Sequence, residues 1–236
     1  MKVHRFFVHE FIERPLESSL DGEVIITHSG LIHQLKDVFR MEAGSDVILL
    51  DNTGSEFLSN ISEISKERVR FHIAEVKKCE NIPRREVTLC AALIKKDKFE
   101  WVLEKGTELG ITQFVPIQTE RSEKKNLNME RAKKIIQEAA EQSERGKLPE
   151  LFEISNLEDV IAKFDRKFFA LGPSGENFDK NFVSQENAWV FIGPEGGWSD
   201  NEIEFFKNKN IPIYSLGKQI LRAETASIAV ASILLL

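Results

Sequence analysis

Two C-terminal runs constrain this chain more than any other feature: Phe191-Ile-Gly-Pro-Glu-Gly-Gly-Trp198 and Leu216-Gly-Lys-Gln-Ile-Leu-Arg-Ala-Glu-Thr-Ala226. In each, a short run of aliphatic, β-branched or aromatic residues (Trp189 to Ile192, Ile211 to Leu216) stops at a glycine, and a helical pattern follows. Phe168-Phe-Ala-Leu-Gly-Pro-Ser-Gly175 repeats the same strand-then-glycine turn upstream. The pattern predicts three strands that end in glycine-containing loops. In an open α/β sheet the carboxyl ends of the strands border the ligand crevice, and glycine lets the backbone come close to what sits there. The three loops are therefore expected to form one binding site.

The rest of the chain sets the frame for that site. With 236 residues, 42% hydrophobic and 30% charged, it has length for one large or two small globular domains. Two cysteines, Cys79 and Cys90, are too few for a disulfide framework or a four-cysteine zinc site, and a reducing, cytoplasmic setting is the simplest expectation. The run Met1 to Glu10 is too short and too charged for a signal peptide. The apolar run Ala226 to Leu236 is too short to span a bilayer and is expected to be a buried final helix, so no membrane partner is expected. The formal net charge is -6, yet residues 81 to 149 carry 14 Lys and Arg against 11 Asp and Glu, while both flanking segments are acidic. Steering depends on potential within about 10 Å, so the basic middle is compatible with a polyanionic partner. Solvated helix faces are its other reading.

Residues 3 to 77 read as β-rich, with strand patterns at Val3 to Val8, Glu23 to Thr27, Ser45 to Leu50, Glu56 to Ile61 and Arg68 to Val76. Asp51-Asn-Thr-Gly54 is a hairpin turn between two of them, and one helix over about Ser29 to Arg40 interrupts the series. Short strands and tight turns predict a small barrel over residues 1–78. The pattern changes around Glu80 to Arg85, and a second domain is expected over 79–236. Val87 to Ile94 is nearly unbroken apolar, as for a strand buried on both faces. An amphipathic helix follows over Asp97 to Leu109, with Phe99, Val102, Leu103 and Leu109 inward and Gly110 as its stop. Strand and helix then alternate through Ile111–Ile117, Asn128–Arg145, Glu150–Ile154 and Leu157–Phe164, which predicts an α/β domain with a largely parallel sheet.

Several chemistries are excluded by spacing. Gly193, Gly196 and Gly197 do not make a G-x-G-x-x-G fingerprint, and Gly217-Lys218 lacks the upstream glycine and following Ser or Thr of a P-loop. No H-E-x-x-H pair or metal cluster is visible among five histidines, neither cysteine carries a catalytic signature, and G-x-S-x-G is absent. What is left is a glycine-lined, apolar-walled pocket whose few charges are Glu195, Arg222 and Glu224. Such a pocket suits a ligand recognised by backbone groups and apolar contact, an adenine ring for example, better than a triphosphate.

Ile192-Gly-Pro-Glu-Gly-Gly-Trp-Ser199, the run Leu216 to Ala226, Lys105-Gly-Thr-Glu-Leu-Gly110 and Glu138-Ala-Ala-Glu-Gln-Ser143 together resemble the signature blocks of the ribosomal RNA small subunit methyltransferase E family, within the SPOUT class. His4-Arg-Phe-Phe-Val8 and His33 to Arg40 match as well, so the resemblance covers nearly the whole chain. It departs from the family pattern at Arg131-Ala132, where Arg-Trp is expected, and at Glu144-Arg-Gly-Lys147, which is more acidic than expected. The resemblance implies a PUA-like RNA-binding β-barrel followed by a SPOUT α/β domain with a deep trefoil knot, S-adenosylmethionine held in the knot, and a homodimer that completes the active site. The implied reaction is methylation of N3 of a specific uridine in 16S ribosomal RNA, on free RNA or the assembled small ribosomal subunit.

Carried onto this sequence, the resemblance implies cofactor binding by Leu171, Gly172, Ile192, Gly193, Gly196, Gly197, Leu216, Gly217, Ile220, Leu221, Arg222 and Thr225. Uracil N3 must lose its proton to attack, so a base or an anion-stabilising group is needed. Glu195 and Glu224 are the candidate bases, and Arg222 is the candidate for holding a uracil oxygen or a phosphate. An ion pair at the helix start is the alternative role for Arg222 and Glu224, and ordering of its own turn is the alternative for Glu195. Candidate RNA contacts are Arg5, His33 and Arg40 in the barrel, and Arg84, Arg85, Lys95, Lys96, Lys98, Lys105 and Arg121 near the junction. A base-stacking role for Trp198 competes with core packing. A SPOUT enzyme acting on another RNA or another base atom, and a non-catalytic RNA-binding assembly factor with a vestigial pocket, are the competing functional readings.

Overall fold

The strand expected at Val87 to Ile94 forms over Val87–Ala92 with every residue buried, and the second half of the molecule is built outward from it. A computed structural model describes residues 3–8, 12, 22–178 and 187–236. The chain divides into two compact units, one formed by residues 1–82 and 140–148, the other by 83–139 and 149–236.

Among the described residues, the first unit holds a five-stranded sheet in the order β1-β3-β4-β5-β2: β1 (His4–Phe7), β2 (Gly22–Ile26), β3 (Asp46–Leu50), β4 (Ser55–Ile64) and β5 (Val69–Lys78). β1 runs parallel to β3, and the other neighbours are antiparallel. Alternation in β4 puts Phe57, Ser59 and Ile61 inward, and Phe57 and Ile61 join Phe6, Ile26, Leu49, Val69 and Phe71 in one core. The β3–β4 turn closes at Asp51-Asn-Thr-Gly54, where Asn52 and Gly54 take positive φ (65° and 89°) and the Asp51 carboxylate accepts from both the N–H and the hydroxyl of Thr53. The helix expected over about 29 to 40 is divided: α1 (Ser29–His33) passes into a π-helical turn, Gln34–Val38. The wider turn lets Phe39 N–H reach Gln34 C=O at 2.9 Å, and Arg40, at φ 53°, ends it in the left-handed conformation usually left to glycine.

The second unit is a parallel sheet sandwiched between helices. Its strands are β6 (Val87–Ala92), β7 (Gln113–Gln118), β8 (Glu150–Leu151), β9 (Ser155–Asn156), β10 (Phe168–Asn177), β11 (Ala188–Ile192) and β12 (Ile213–Ser215). Among the described residues the order is β12-β10-β11-β6-β7-β8, with β9 also on β7, and every pairing is parallel. Among the described residues the helices are α2 (Lys96–Leu109), α3 (Met129–Gln142), whose last three residues belong to the first unit, α4 (Leu157–Lys163), α5 (Asp200–Asn208) and α6 (Ala223–Leu235). Val87, Leu89 and Ala91 of β6 pack with Phe99, Val102 and Leu103 of α2, Ile136 of α3 and Val230, Ala231 and Leu234 of α6. Cys90 and Ala92 face the opposite core, with Val160 of α4 and Phe206 of α5. Both faces of the sheet are thus covered, which is why β6 reads as a continuous apolar run rather than an alternation. α2 ends at Gly110 (φ 108°), the stop expected there. The final helix begins three residues earlier than the apolar run, at Ala223. Among the described residues no helix is long and apolar enough to cross a membrane, and no cluster of three His, Cys, Asp or Glu is placed to hold a metal ion.

One expectation fails in an informative way. The run Phe168 to Leu171 does not end a strand: β10 continues to Asn177, and Leu171 and Glu176 both pair with Tyr214 of β12. Gly172 to Gly175 are extruded as a bulge between them. Glycine is required at 175, because an added Cβ would lie 2.6 Å from Ile213 O.

Candidate active site

The bulge in β10 and the carboxyl-end segments of β11 and β12 surround one cleft of about 260 Å³, just below the roughly 300–1,000 Å³ typical of small-molecule pockets. Leu171, Gly172 and Pro173 form one side, the run Ile192 to Trp198 the second, and Tyr214 to Leu216 with Gln219, Ile220 and Leu221 the third. Ala223 and Ala226, one turn apart at the start of α6, close the end. The Gly193–Trp198 loop is held by bonds within it and beside it. Gly197 N–H bonds Pro194 C=O at 2.9 Å, and Gly197 takes φ 68°. Trp198 Nε1–H donates to Leu171 C=O at 2.8 Å, while its ring packs edge-on against Phe206. Ser199 and Glu202 form a reciprocal capping box at the start of α5. The floor is tight: a Cβ on Gly193 would lie 3.1 Å from the Trp198 indole, and one on Gly172 would lie 3.0 Å from Ile213 Cγ2.

Of the residues assigned to the cofactor on sequence, Leu171, Gly172, Ile192, Gly193, Gly196, Gly197, Leu216, Ile220 and Leu221 are brought together around the cleft, whereas Gly217, Arg222 and Thr225 lie outside its lining. Thr225 is exposed and sits between Ala223 and Ala226 in sequence, so helical geometry turns it to the far side. Pro173, Pro194, Tyr214, Ser215, Gln219, Ala223 and Ala226 line the cleft without having been singled out. The alanines were hidden in an apolar helix pattern, and Tyr214 in a strand. Trp198 is buried as the floor of the cleft, which is the core-packing alternative.

The charged candidates occupy different settings. Glu195 is exposed, lines the cleft, and accepts the Lys95 N–H at 3.4 Å, placing its carboxylate at the N-terminus of α2 where the helix dipole favours an anion. Glu224, in the first turn of α6, pairs through Oε1 with Lys98 Nζ at 3.1 Å, while Oε2 is buried with no hydrogen-bond partner among the described residues. Arg222 is the N-cap residue of α6, with an exposed side chain.

The basic candidates divide similarly. Arg5 is paired with Glu56 and Glu144. Arg85 reaches Leu234 C=O in the last turn of α6, and burial lowers its pKa. Lys105 lies 2.8 Å from both Glu104 and Glu108, whose hydrogen bonds raise its pKa. Arg121 donates to Gly196 C=O and Trp198 C=O. His33 contacts Asp37 at 2.7 Å on the surface, and Arg40, Arg84 and Lys95 are exposed. Lys96 opens α2, and its side chain lies outside the described residues.

Residues 80–235 match the family model of an RNA methyltransferase domain. Over its whole length the chain is 30% identical to the ribosomal RNA small subunit methyltransferase E of Rickettsia conorii, spanning 97% of that protein. The chain belongs to the ribosomal RNA small subunit methyltransferase E family. The Bacillus subtilis member is 29% identical, with 95% of this chain and 93% of that one aligned. Among solved structures, a methyltransferase from Legionella pneumophila in complex with S-adenosylmethionine superposes with a TM-score of 0.88 at 27% identity, covering 99% of this chain and 97% of that one. The methyltransferase E of Neisseria gonorrhoeae has the same fold, with a TM-score of 0.87 at 22% identity over 98% of this chain and 96% of that one.

Proposed function

We propose that this protein methylates N3 of a uridine in 16S ribosomal RNA, with S-adenosylmethionine as donor and the small ribosomal subunit or its free RNA as substrate. The observation that carries the reading is the convergence of three glycine-containing segments on one apolar cleft. The lining fits such a donor. It offers backbone groups at Gly172, Gly193 and Gly196, apolar walls at Leu171, Ile192, Leu216 and Ile220, and, among the described residues, no lysine or arginine. A triphosphate would need the cationic cradle that this lining lacks. The ligand named for the Legionella relative agrees with it.

When bound, the donor supplies a methyl on a cationic sulfur, and the chain's task is alignment and control of the uracil proton. Glu195 is the carboxylate at the cleft edge and is our choice of proton acceptor for N3. Arg222, exposed at the start of α6, is our choice for holding a uracil oxygen, with Glu224, paired to Lys98, fixing that helix start. The target base must leave its stack to reach the cleft, so a single-stranded or flipped uridine is expected. On the family resemblance we further propose a PUA-like RNA-binding role for the first unit, a trefoil knot around the cleft, a homodimer that completes the site, and a cytoplasmic location.

The test is incubation of small-subunit particles lacking the modification with labelled S-adenosylmethionine, followed by nucleoside mapping. Label on 3-methyluridine at one position supports the proposal. Label on another base atom or another RNA replaces the substrate, and no donor binding by calorimetry leaves a non-catalytic RNA-binding protein.

A further inference from the structure

We infer that Arg121 is a positioning residue for the donor cleft: its guanidinium, reaching over from the loop after β7, sets the carbonyl directions of Gly196 and Trp198 and so the shape of the loop that receives the donor. The inference rests on the reading of that cleft given above. Arg121 Nη1 donates to Gly196 O at 3.0 Å and to Trp198 O at 2.9 Å. Its aliphatic stem lies along Gly196, where an added Cβ would be 3.4 Å from Arg121 Cβ. Two flanking bonds join the Arg121 loop to the first turn of α5, which follows the donor loop: Glu120 N–H donates to Glu202 Oε1 at 3.0 Å, and Asn201 Nδ2 donates to Glu120 Oε1 at 3.1 Å. Hydrogen bonds from Ser199 and Asn201 hold the Glu120 carboxyl below the usual range, so this outer brace is charged near neutrality.

The inner brace has a reason to exist. Gly196 and Gly197 are the most permissive pair in the lining, Gly197 is already left-handed, and a loop of this kind samples many shapes unless its carbonyls are pinned. The two N–H groups of one guanidinium nitrogen can pin two carbonyls at once, and hydrogen bonds from a charged donor are stronger than neutral ones. Arg121 is exposed, so its charge is not placed there for core packing. Both bonds come from Nη1, so the salt dependence of RNA binding is measured beside donor binding to separate positioning from a phosphate contact, the other role open to a basic residue on this loop.

The experiment compares wild type with Arg121→Ala and Arg121→Lys by calorimetry with S-adenosylmethionine, steady-state methylation of small-subunit particles, and RNA binding against salt. Positioning predicts that Arg121→Ala weakens donor binding about tenfold, raises the donor KM more than it lowers kcat, and leaves the salt slope of RNA binding unchanged. It also predicts partial recovery of donor affinity with millimolar guanidinium, which a general loss of structure would not give. If Arg121→Ala is not folded at the assay temperature, Arg121→Lys is read instead, with a smaller loss of donor affinity expected. Donor affinity unchanged in a folded variant, or a shallower RNA salt slope by about one unit with donor KM unmoved, overturns the inference and returns Arg121 to the RNA. Wild type that takes up no S-adenosylmethionine overturns the reading of the cleft and this inference with it.

Discussion

The carboxylate of Glu224 lies 3.1 Å from the ammonium of Lys98, so the first turns of α6 and α2 are tied together beside the cleft. Both groups are mostly covered, at 14% and 27% side-chain exposure, and the second carboxylate oxygen is buried without a partner among the described residues. Removing Lys98 alone strands a charge. Lys98→Met should cost about 1–2 kcal/mol, below the about 3–5 kcal/mol of a fully buried pair because solvent still screens this one. Lys98→Met combined with Glu224→Gln should recover part of that loss. Urea midpoints for the two single variants and the double variant measure the coupling, and additive losses would mean that the pair contributes nothing.

Trp198 joins two walls of the cleft through its bond to Leu171 C=O. Trp198→Phe keeps an aromatic floor but leaves that buried carbonyl without its donor, for which a loss of about 1–3 kcal/mol is expected. Thermal melts report the stability, and calorimetry should find donor affinity reduced in the same variant. Unchanged affinity would separate the floor from the site.

Glu195→Gln keeps the size and much of the hydrogen-bonding capacity of the side chain while removing its basicity. As proton acceptor, Glu195 should contribute about 10²–10⁴-fold to kcat, with donor binding within a few-fold of wild type. A comparable loss in Glu224→Gln and little in Glu195→Gln would move the role to the other carboxylate.

Gly175 sits where the two halves of β10 meet β12, and Gly175→Ala drives a Cβ to within 2.6 Å of backbone at Ile213 and Tyr214. That contact cannot be relieved by turning a side chain. A loss of at least about 1–3 kcal/mol is expected, comparable to overpacking elsewhere in a core, and a thermal melt within a degree or two of wild type would contradict it.

Cys90 is fully buried in β6, and burial pushes its thiol well above the ordinary 9.0. A thiol whose folded pKa is raised favours the folded state while both states are protonated. The unfolded chain then loses its proton first, so this contribution declines as pH rises beyond about 9. The melting temperature of wild type should fall faster from pH 8 to 10 than that of Cys90→Ala, and Cys90 should resist a thiol reagent until the chain unfolds.

The sheet core was legible because its signals are local. An apolar run such as Val87 to Ala92 can satisfy only a strand covered on both faces, and Asp51 to Gly54 supplies its own turn chemistry. The bulge at Gly172 to Gly175 was not legible. It is decided by pairing with Tyr214, some 40 residues away, and the local pattern of an ended strand is the same up to Leu171. The π-helical turn after His33 is similar, since the apolar spacing of Leu31, Ile32 and Leu35 suits an α-helix equally well. In the cleft, glycines and prolines marked the three loops, but the roles of Arg121 and Lys98 depend on partners more than 70 residues distant and left no mark in their neighbourhoods.

The bulge in β10 departs from Tyr214 and comes back to Tyr214, so the hydrogen-bonded ladder on either side has no record of how many residues were spent in between. The rim of the cleft at this edge thus hangs between two fixed ends. Its middle, Pro173 and Ser174, is where a change of shape disturbs the ladder least, because Gly172 and Gly175 on either side already press on Ile213.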